Sequence, residues 1–179
     1  EPLGAGVLQP TRRPLTRRAF LTEAFRHLGE PYGWGGGGEG RDCSELVMDV
    51  LGTFELDLPR HSARQAEAGS FSIAVPADMP DDARLELFDR ALEAGVVLLH
   101  FPGHIMIYLG RTEAGAPRIL HSFAEYLEPC AGEAPAGGTP GEVLRRVNRV
   151  SISDLELGRG TSRRAFVERV DRVVVFGRP

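Results

Sequence analysis

Lysine is absent from this sequence, in which all 21 basic residues are arginine. Its absence excludes chemistry that depends on a lysine amine, such as a Schiff base, a serine–lysine dyad or the lysine of a phosphate-binding loop. Cysteine is scarce, and the two residues present, Cys43 and Cys130, are too few for a disulfide framework. No apolar run approaches the roughly 20 residues of a membrane-spanning helix, so we expect no membrane span.

Length and charge narrow the possibilities further. The 179 residues, 42% of them apolar, can form one domain whose core needs no disulfide. The net charge is −4, and the arginine pairs, such as 163–164, are scattered and read as solvated. We therefore expect no nucleic-acid partner, and we expect a monomer. Residues 1–14 are rich in proline and glycine and predict an extended arm, followed by a single domain over residues 15–179.

The first half of the chain predicts helices. Apolar residues recur at helical spacing in four stretches, approximately 17–28, 43–54, 62–65 and 82–92. The expected N-caps of the first three are Thr16, Asp42 and Ser62. The apolar positions of the first are Phe20, Leu21, Ala24, Phe25 and Leu28. The second helix is the clearest, because Glu45 lies three residues after Asp42 and completes a capping box.

The second half predicts strands. Alternating or β-branched apolar residues mark five stretches, 96–101, 104–109, 118–123, 143–152 and 166–176. A turn over residues 112–117 joins the second and third strands as an antiparallel hairpin, and residues 130–141 have the composition of a long loop. Helices followed by strands favour an α+β fold with an antiparallel sheet.

Cys43 is a candidate nucleophile at the start of the second helix. Unpaired backbone N–H groups and the positive end of the helix dipole favour a thiolate there. The same N–H groups can stabilise an oxyanion on a carbonyl that the sulfur attacks. The glycine-rich stretch 32–40 leaves room for a substrate backbone to approach. The alternatives for Cys43 are a thiol packed in the core and a disulfide with Cys130.

Two histidines can complete a catalytic set, since a thiol nucleophile needs a base and the base needs an orienting partner. His104 follows the turn Pro102–Gly103 and lies at a strand end, and His121 lies within cross-strand reach on the next strand. We therefore predict Cys43, His104 and His121 as nucleophile, base and orienter. Their order is papain-like, with a helix that carries the cysteine packed on a sheet that carries the histidines. His100 and His104 could share a metal only on one helix, which the Pro–Gly turn prevents, so no metal is expected.

Five motifs together resemble the NlpC-type cell-wall cysteine peptidases, in the branch that usually carries bacterial SH3-like domains upstream. They are YGWGG at 32–36, RDCS at 41–44, LPRHSARQ at 58–65, PGHIMIYLG at 102–110 and LHS at 120–122. The resemblance covers about residues 20–176 and implies a papain-like fold without a cofactor. It also implies hydrolysis of the bond between γ-D-glutamate and the diamino acid, diaminopimelate or lysine, in peptidoglycan stem peptides. We accordingly expect a periplasmic or secreted protein whose export signal is not visible.

The same resemblance implies roles for individual residues. It assigns the catalytic triad to Cys43, His104 and His121. It implies five substrate-binding residues: at the free amine of an N-terminal L-alanine, Asp42 and Ser44, and along the same cleft, Tyr32, Trp34 and Ser62. Position 61 departs from the family pattern, because it carries histidine where a small polar residue is typical.

Two other functions remain open. The same thiol–imidazole pair could serve an amidase or acyltransferase that acts on another amide, or the chain could be a catalytically dead module that binds wall peptides. Thiol reactivity separates these possibilities, because a preformed thiolate at Cys43 should react with iodoacetamide well below about pH 8 and a core thiol should not.

Overall fold

The computed structural model describes residues 13–36, 40–130 and 141–178. Most of the predicted arm and of the predicted loop 130–141 therefore lies outside the described residues. Among these residues five α-helices and six strands follow in the order α1 (Arg17–Arg26), α2 (Cys43–Gly52), α3 (Ser62–Gln65), β1 (Phe71–Ala74), α4 (Asp81–Ala94), β2 (Gly95–Phe101), β3 (His104–Arg111), β4 (Pro117–Pro129), β5 (Glu142–Asp154), α5 (Phe166–Arg169) and β6 (Arg172–Gly177). A short 3₁₀ helix, Trp34–Gly36, lies between α1 and α2. No helix in these described ranges is long and apolar enough to cross a membrane.

The six strands form one antiparallel sheet in the order β1–β6–β2–β3–β4–β5. A tight hairpin joins β2 to β3 and pairs Phe101 with His104. The predicted hairpin joins β3 to β4, and β4 pairs with β5 from Arg118 opposite Asp154 onward. The structure confirms the predicted α+β class with an antiparallel sheet.

Helices cover both faces of this sheet, which explains why β2, β3 and β6 are almost continuously apolar. On one face α1 and α2 pack through a cluster that includes Phe20, Val50 and Ile107. On the other face α4 and α5 pack through a cluster that includes Phe88, Val167 and Met106. Because α2 lies directly on β3 and β4, its N-terminus is brought to the part of the sheet that carries His104 and His121.

Capping side chains explain where α1 and α2 begin. Thr16 Oγ1 accepts a hydrogen bond from the Ala19 N–H at 3.2 Å, and Asp42 Oδ1 accepts one from the Glu45 N–H at 2.9 Å. Both N-caps are as predicted. The predicted capping box is only half formed, because the Glu45 carboxylate lies toward Arg60, 3.6 Å away.

Phe25 and Leu28, two of the apolar residues that indicate α1, are 39% and 42% exposed. One prediction about the helices was wrong. The N-cap of α3 is His61 rather than Ser62, which is the first helical residue. The buried side chain of Gln65 holds this helix by donating hydrogen bonds to two backbone carbonyls, each at 2.8 Å.

The stretch 166–176 was predicted to be one strand, and this too was wrong. Its first four residues form α5, and the strand begins only at Arg172. The Glu168 carboxylate accepts a hydrogen bond from the Ala165 N–H at 2.6 Å and stabilises the helical turn. A short apolar run does not distinguish a buried helical turn from a strand. The sequence analysis also missed β1, which is too short to show a clear alternation.

Candidate active site

Cys43 is the first residue of α2 and lines a cavity of about 470 Å³, a volume that suits a small ligand or a segment of peptide. The side chain is 9% exposed. The backbone N–H groups of Ile105, Ser44 and Cys43 itself favour the thiolate, and N–H groups at a helix start can hold an oxyanion. Cys43 and Cys130 are both free thiols, which excludes the disulfide alternative.

His104 lines the same cavity from the sheet. Gly103 has a φ of 88°, a conformation that favours glycine, and reverses the chain so that His104 opens β3. Nε2 of His104 lies 2.8 Å from Nδ1 of His121 on β4. Because Nε2 has this partner, Nδ1 is the ring nitrogen of His104 that remains for a group in the cavity. The thiol and the first imidazole thus share the cavity, and the second imidazole lies behind the first.

A second hydrogen bond connects His121 to β5, where Ser153 Oγ lies 3.0 Å from Nε2 of His121. Both nitrogens of the His121 ring therefore have partners, which fixes the orientation of the ring. The sequence analysis missed Ser153. Its only signal is the pairing of β4 with β5, which a single sequence does not reveal.

Burial governs the charge of the two histidines. Three aromatic rings surround them, those of Phe101, Phe123 and Phe166. Desolvation lowers the pKa of His104 to about 3, and the positive charge of Arg169 acts in the same direction. Desolvation also lowers the pKa of His121 well below its ordinary value. Both rings are therefore neutral at pH 7.

Burial raises the pKa of the Cys43 thiol, and the negative charge of Asp42 adds to this effect. The N–H groups that were expected to favour the thiolate act in the opposite direction but do not outweigh desolvation. The resting site therefore holds a neutral thiol and a neutral imidazole. The raised pKa of Cys43 argues against a thiolate that is already formed well below pH 8.

We expect the rate of alkylation of Cys43 by iodoacetamide to keep rising between about pH 6 and pH 9, because the thiolate is the reactive form and its pKa is raised. The exposed Cys130 serves as the reference thiol in the same sample. Mass spectrometry of the modified peptides gives both rates. A Cys43 rate that does not change between about pH 6 and pH 8 would require a preformed thiolate and would contradict the expectation.

Asp42 and Ser44 flank the thiol and form a cluster with Arg60. Arg60 donates to the two carboxylate oxygens of Asp42 at 3.0 and 2.6 Å and to Ser44 Oγ at 2.8 Å. Ser44 Oγ donates to Asp42 at 3.0 Å. Burial alone would raise the pKa of Asp42, but the hydrogen bonds, those from Arg60 foremost, lower it. Asp42 is thus ionised at neutral pH. The sequence analysis assigned no role to Arg60.

The five residues implied to bind substrate fall into two groups. Tyr32 and Trp34 line the cavity that holds the thiol, and Trp34 is 84% exposed. Asp42, Ser44 and Ser62 are absent from the described residues that line it.

Three arginines form part of the cavity wall, among them the pair 163–164, whose residues are exposed as predicted. Arg163, Arg164 and Arg169 all line the cavity. Arg163 lies 3.4 Å from Glu125, which lines the cavity as well. Arg169 lies over an aromatic ring, that of Phe101. The sequence analysis missed this wall because residues 163–169 are distant in sequence from Cys43 and His104 and reach the cavity only through the tertiary fold.

Other histidines have partners outside this site. Nδ1 of His100 lies 2.9 Å from Asp171, and Nδ1 of His27 lies 3.0 Å from Glu30. In the part of the chain that the structure describes, no three His, Cys, Asp or Glu side chains gather closely enough to hold a metal ion.

The sequence profile of the NlpC/P60 family matches residues 29–127, slightly more than half of the chain. The chain belongs to the NlpC/P60 family.

Named relatives and solved structures agree with this membership. A "probable endopeptidase" of Mycobacterium tuberculosis is 32% identical over 96 residues, which are 53% of this chain and 24% of the relative. A "probable endopeptidase" of Mycobacterium bovis gives the same values. This chain thus spans about a quarter of the length of these curated relatives.

Among solved structures, an NlpC/P60 endopeptidase from Photobacterium damselae subsp. piscicida superimposes with a TM-score of 0.67 at 21% identity, over 87% of this chain and 38% of that one. An NlpC/P60 family protein from Bacillus cereus gives a TM-score of 0.53 at 16% identity, over 92% and 41%. The shared architecture is the papain-like α+β fold.

Proposed function

We propose that this chain is a cysteine endopeptidase that hydrolyses the bond between γ-D-glutamate and the diamino acid of peptidoglycan stem peptides. One observation carries the proposal. The Cys43 thiol, at the N-terminus of a helix, and the His104 imidazole, at the start of a strand, line the same cavity, and His104 is hydrogen-bonded to His121 behind it. Family membership and the relatives named as endopeptidases support the peptidase class. The choice of bond rests on the motif resemblance. Since peptidoglycan lies outside the cytoplasmic membrane, the proposed site of action is periplasmic or extracellular.

In the proposed reaction, Nδ1 of His104 accepts the proton of the Cys43 thiol while the sulfur attacks the γ-glutamyl carbonyl carbon. The carbonyl π electrons move onto oxygen, and the backbone N–H of Cys43 with a neighbouring N–H holds the oxyanion. Collapse breaks the C–N bond, and His104 returns the proton to the departing amine. A water deprotonated by His104 then hydrolyses the thioester, which releases the acid and restores the thiol.

His121 is proposed to fix the tautomer that this reaction requires. For Nδ1 of His104 to accept a proton, Nε2 must carry hydrogen and donate it to Nδ1 of His121. His121 then carries its hydrogen on Nε2 and donates it to Ser153 Oγ. The His104 ring is neutral at pH 7, so its Nδ1 is free to accept a proton, which a doubly protonated ring could not do.

Substrate binding is proposed to divide between the two groups of residues. Tyr32 and Trp34 would contact the peptide within the cavity. The ionised Asp42, which accepts a hydrogen bond from Ser44, would attract the free amine of an N-terminal L-alanine. Asp42 is also ion-paired with Arg60. Ser62, the first residue of α3, would contact the substrate from outside the cavity.

Mass spectrometry of L-Ala-γ-D-Glu-diaminopimelate peptides incubated with the protein tests the proposal. Free-amine and muramic-acid-linked forms are run side by side, with Cys43→Ala as the inactive variant and Cys130→Ala as its matched control. We expect a cut after D-glutamate that Cys43→Ala abolishes and Cys130→Ala leaves unchanged, because only Cys43 lies in the cavity with His104.

The form that is cut faster shows whether the enzyme needs the free amine that Asp42 would bind. If no peptide is cut while Cys43 remains readily alkylated, the bond assignment is wrong and an amidase or acyltransferase with the same thiol is indicated. If no peptide is cut and Cys43 is inert, the chain is a peptide-binding module.

A further inference from the structure

Arg169 differs in its surroundings from the other arginines near the site. Its Cζ lies 3.9 Å from the centre of the Phe101 ring and 5.6 Å from that of Phe166. Among the residues that the structure describes, Arg169 has no carboxylate within ion-pair distance. By contrast, Arg60 is paired with Asp42.

A half-buried guanidinium without a counter-ion is costly, because part of its hydration is lost and nothing replaces it. Burial lowers the pKa of Arg169, and the charges of Arg163 and Arg164 act in the same direction. All three side chains line the cavity. Among the described residues, Arg163 is the only one of the three that forms an ion pair with a cavity-lining carboxylate, that of Glu125. This wall therefore favours an anion, and a planar guanidinium can bind a carboxylate through two parallel hydrogen bonds.

The position of Arg169 relative to His104 indicates which part of a substrate it would meet. The Phe101 ring contacts both of them, since its centre is 5.2 Å from that of the His104 ring and 3.9 Å from Cζ of Arg169. Arg169 is therefore on the His104 side of the cavity. In the proposed reaction His104 gives its proton to the departing amine, so the leaving amino acid must lie on that side.

We propose that Arg169 binds the side-chain carboxylate of the diamino acid on the leaving side and makes the site selective for diaminopimelate over lysine. The inference rests on the proposed function and narrows it to one substrate class. Diaminopimelate carries a second carboxylate at the far end of its side chain. Lysine has only an ammonium group there, which the three arginines of this wall would repel.

The test compares two tetrapeptides, L-Ala-γ-D-Glu-meso-diaminopimelate-D-Ala and L-Ala-γ-D-Glu-L-Lys-D-Ala, which differ in the second carboxylate. We expect the protein to favour the diaminopimelate peptide in kcat/KM by at least about 10-fold. Arg169→Gln should lower kcat/KM for that peptide by about 10- to 100-fold and change the lysine peptide little. The ratio isolates the carboxylate contact, because an effect of the lost charge on His104 would change both peptides alike.

Arg90→Gln removes the same charge from an exposed position of α4 and should leave the ratio unchanged. Thermal unfolding of Arg169→Gln checks that the variant is folded. An equal loss on both peptides would overturn the inference. A third peptide with D-isoglutamine in place of D-glutamate examines the other carboxylate. If the effect of Arg169→Gln disappears with that peptide, Arg169 binds the acyl side and the inference is wrong.

A binding measurement keeps this result separate from the proposed function. Calorimetry with Cys43→Ala, with and without Arg169→Gln, measures the affinity of both tetrapeptides without cleavage. A preference for diaminopimelate that Arg169→Gln removes would support the inference even if the wild-type protein cut neither peptide, and in that case only the proposed peptidase activity would fail. Equal affinities for the two peptides would overturn the inference even if both were cut.

Discussion

Replacing His104 with glutamine is expected to lower kcat/KM for the diaminopimelate tetrapeptide by about 10⁴-fold or more. Glutamine retains a polar side chain at the start of β3 but cannot accept the thiol proton or deliver it to the leaving amine. The effect should be large because burial raises the pKa of Cys43, so the thiol has little tendency to ionise without its partner. Single-turnover product release, followed by mass spectrometry near pH 7, measures the loss.

His61→Gln is the matched control for this substitution, since His61 is exposed and makes no side-chain capping bond at α3. Its activity should stay within about twofold of wild type. The residual activity of His104→Gln should increase with pH, because hydroxide then competes for the thiol proton. A loss of less than about tenfold in His104→Gln would show that another group deprotonates Cys43 and would refute the assigned base.

Replacing Arg84 with methionine is expected to lower the free energy of unfolding by about 3–5 kcal/mol. Arg84 is 1% exposed, and its guanidinium donates to backbone carbonyls of five residues, at 2.7–3.4 Å: Pro76, Ala77, Met79, Val167 and Val170. These bonds join α4 to the segment before it and to α5. Methionine fills much of the volume but leaves the carbonyls without donors, which is where most of the cost arises.

Urea denaturation followed by circular dichroism measures this change. Arg90→Met makes the same replacement on the same helix at an exposed position and should change the unfolding free energy by less than about 0.5 kcal/mol. A similar small value for Arg84→Met would mean that water replaces the lost donors and that the buried guanidinium is not a structural link between α4 and α5.

Local signals were sufficient for the elements that present the thiol and the first imidazole. Asp42 caps α2 through a hydrogen bond to a residue only three positions further along the chain, and Gly103 turns the chain immediately before His104. Capping and turn chemistry depend on neighbouring residues, so a sequence reveals them. The hairpin of β3 and β4 was predictable for the same reason, because its turn is short.

Features that depend on distant parts of the chain were not predictable in this way. The strand β6 pairs with β1 and β2, about 100 and 80 residues earlier in the chain. Arg60 reaches Asp42 across 18 positions, and Ser153 reaches His121 across 32. Arg169 meets Phe101 only because α5 folds onto the end of β2. Each of these contacts needs a tertiary arrangement that residue spacing does not encode.

The burial of the two histidines without charge couples proton uptake to unfolding. An imidazole whose pKa is lowered in the folded state stabilises the fold fully above its unfolded pKa, near 6.5, and loses that contribution as pH falls toward the folded value, about 3 for His104. In this window the unfolded chain binds protons that the folded site excludes. Each ring then removes up to about 1.4 kcal/mol of unfolding free energy for every pH unit of acidification. The enclosure that keeps the two imidazoles neutral therefore also makes the protein acid-labile.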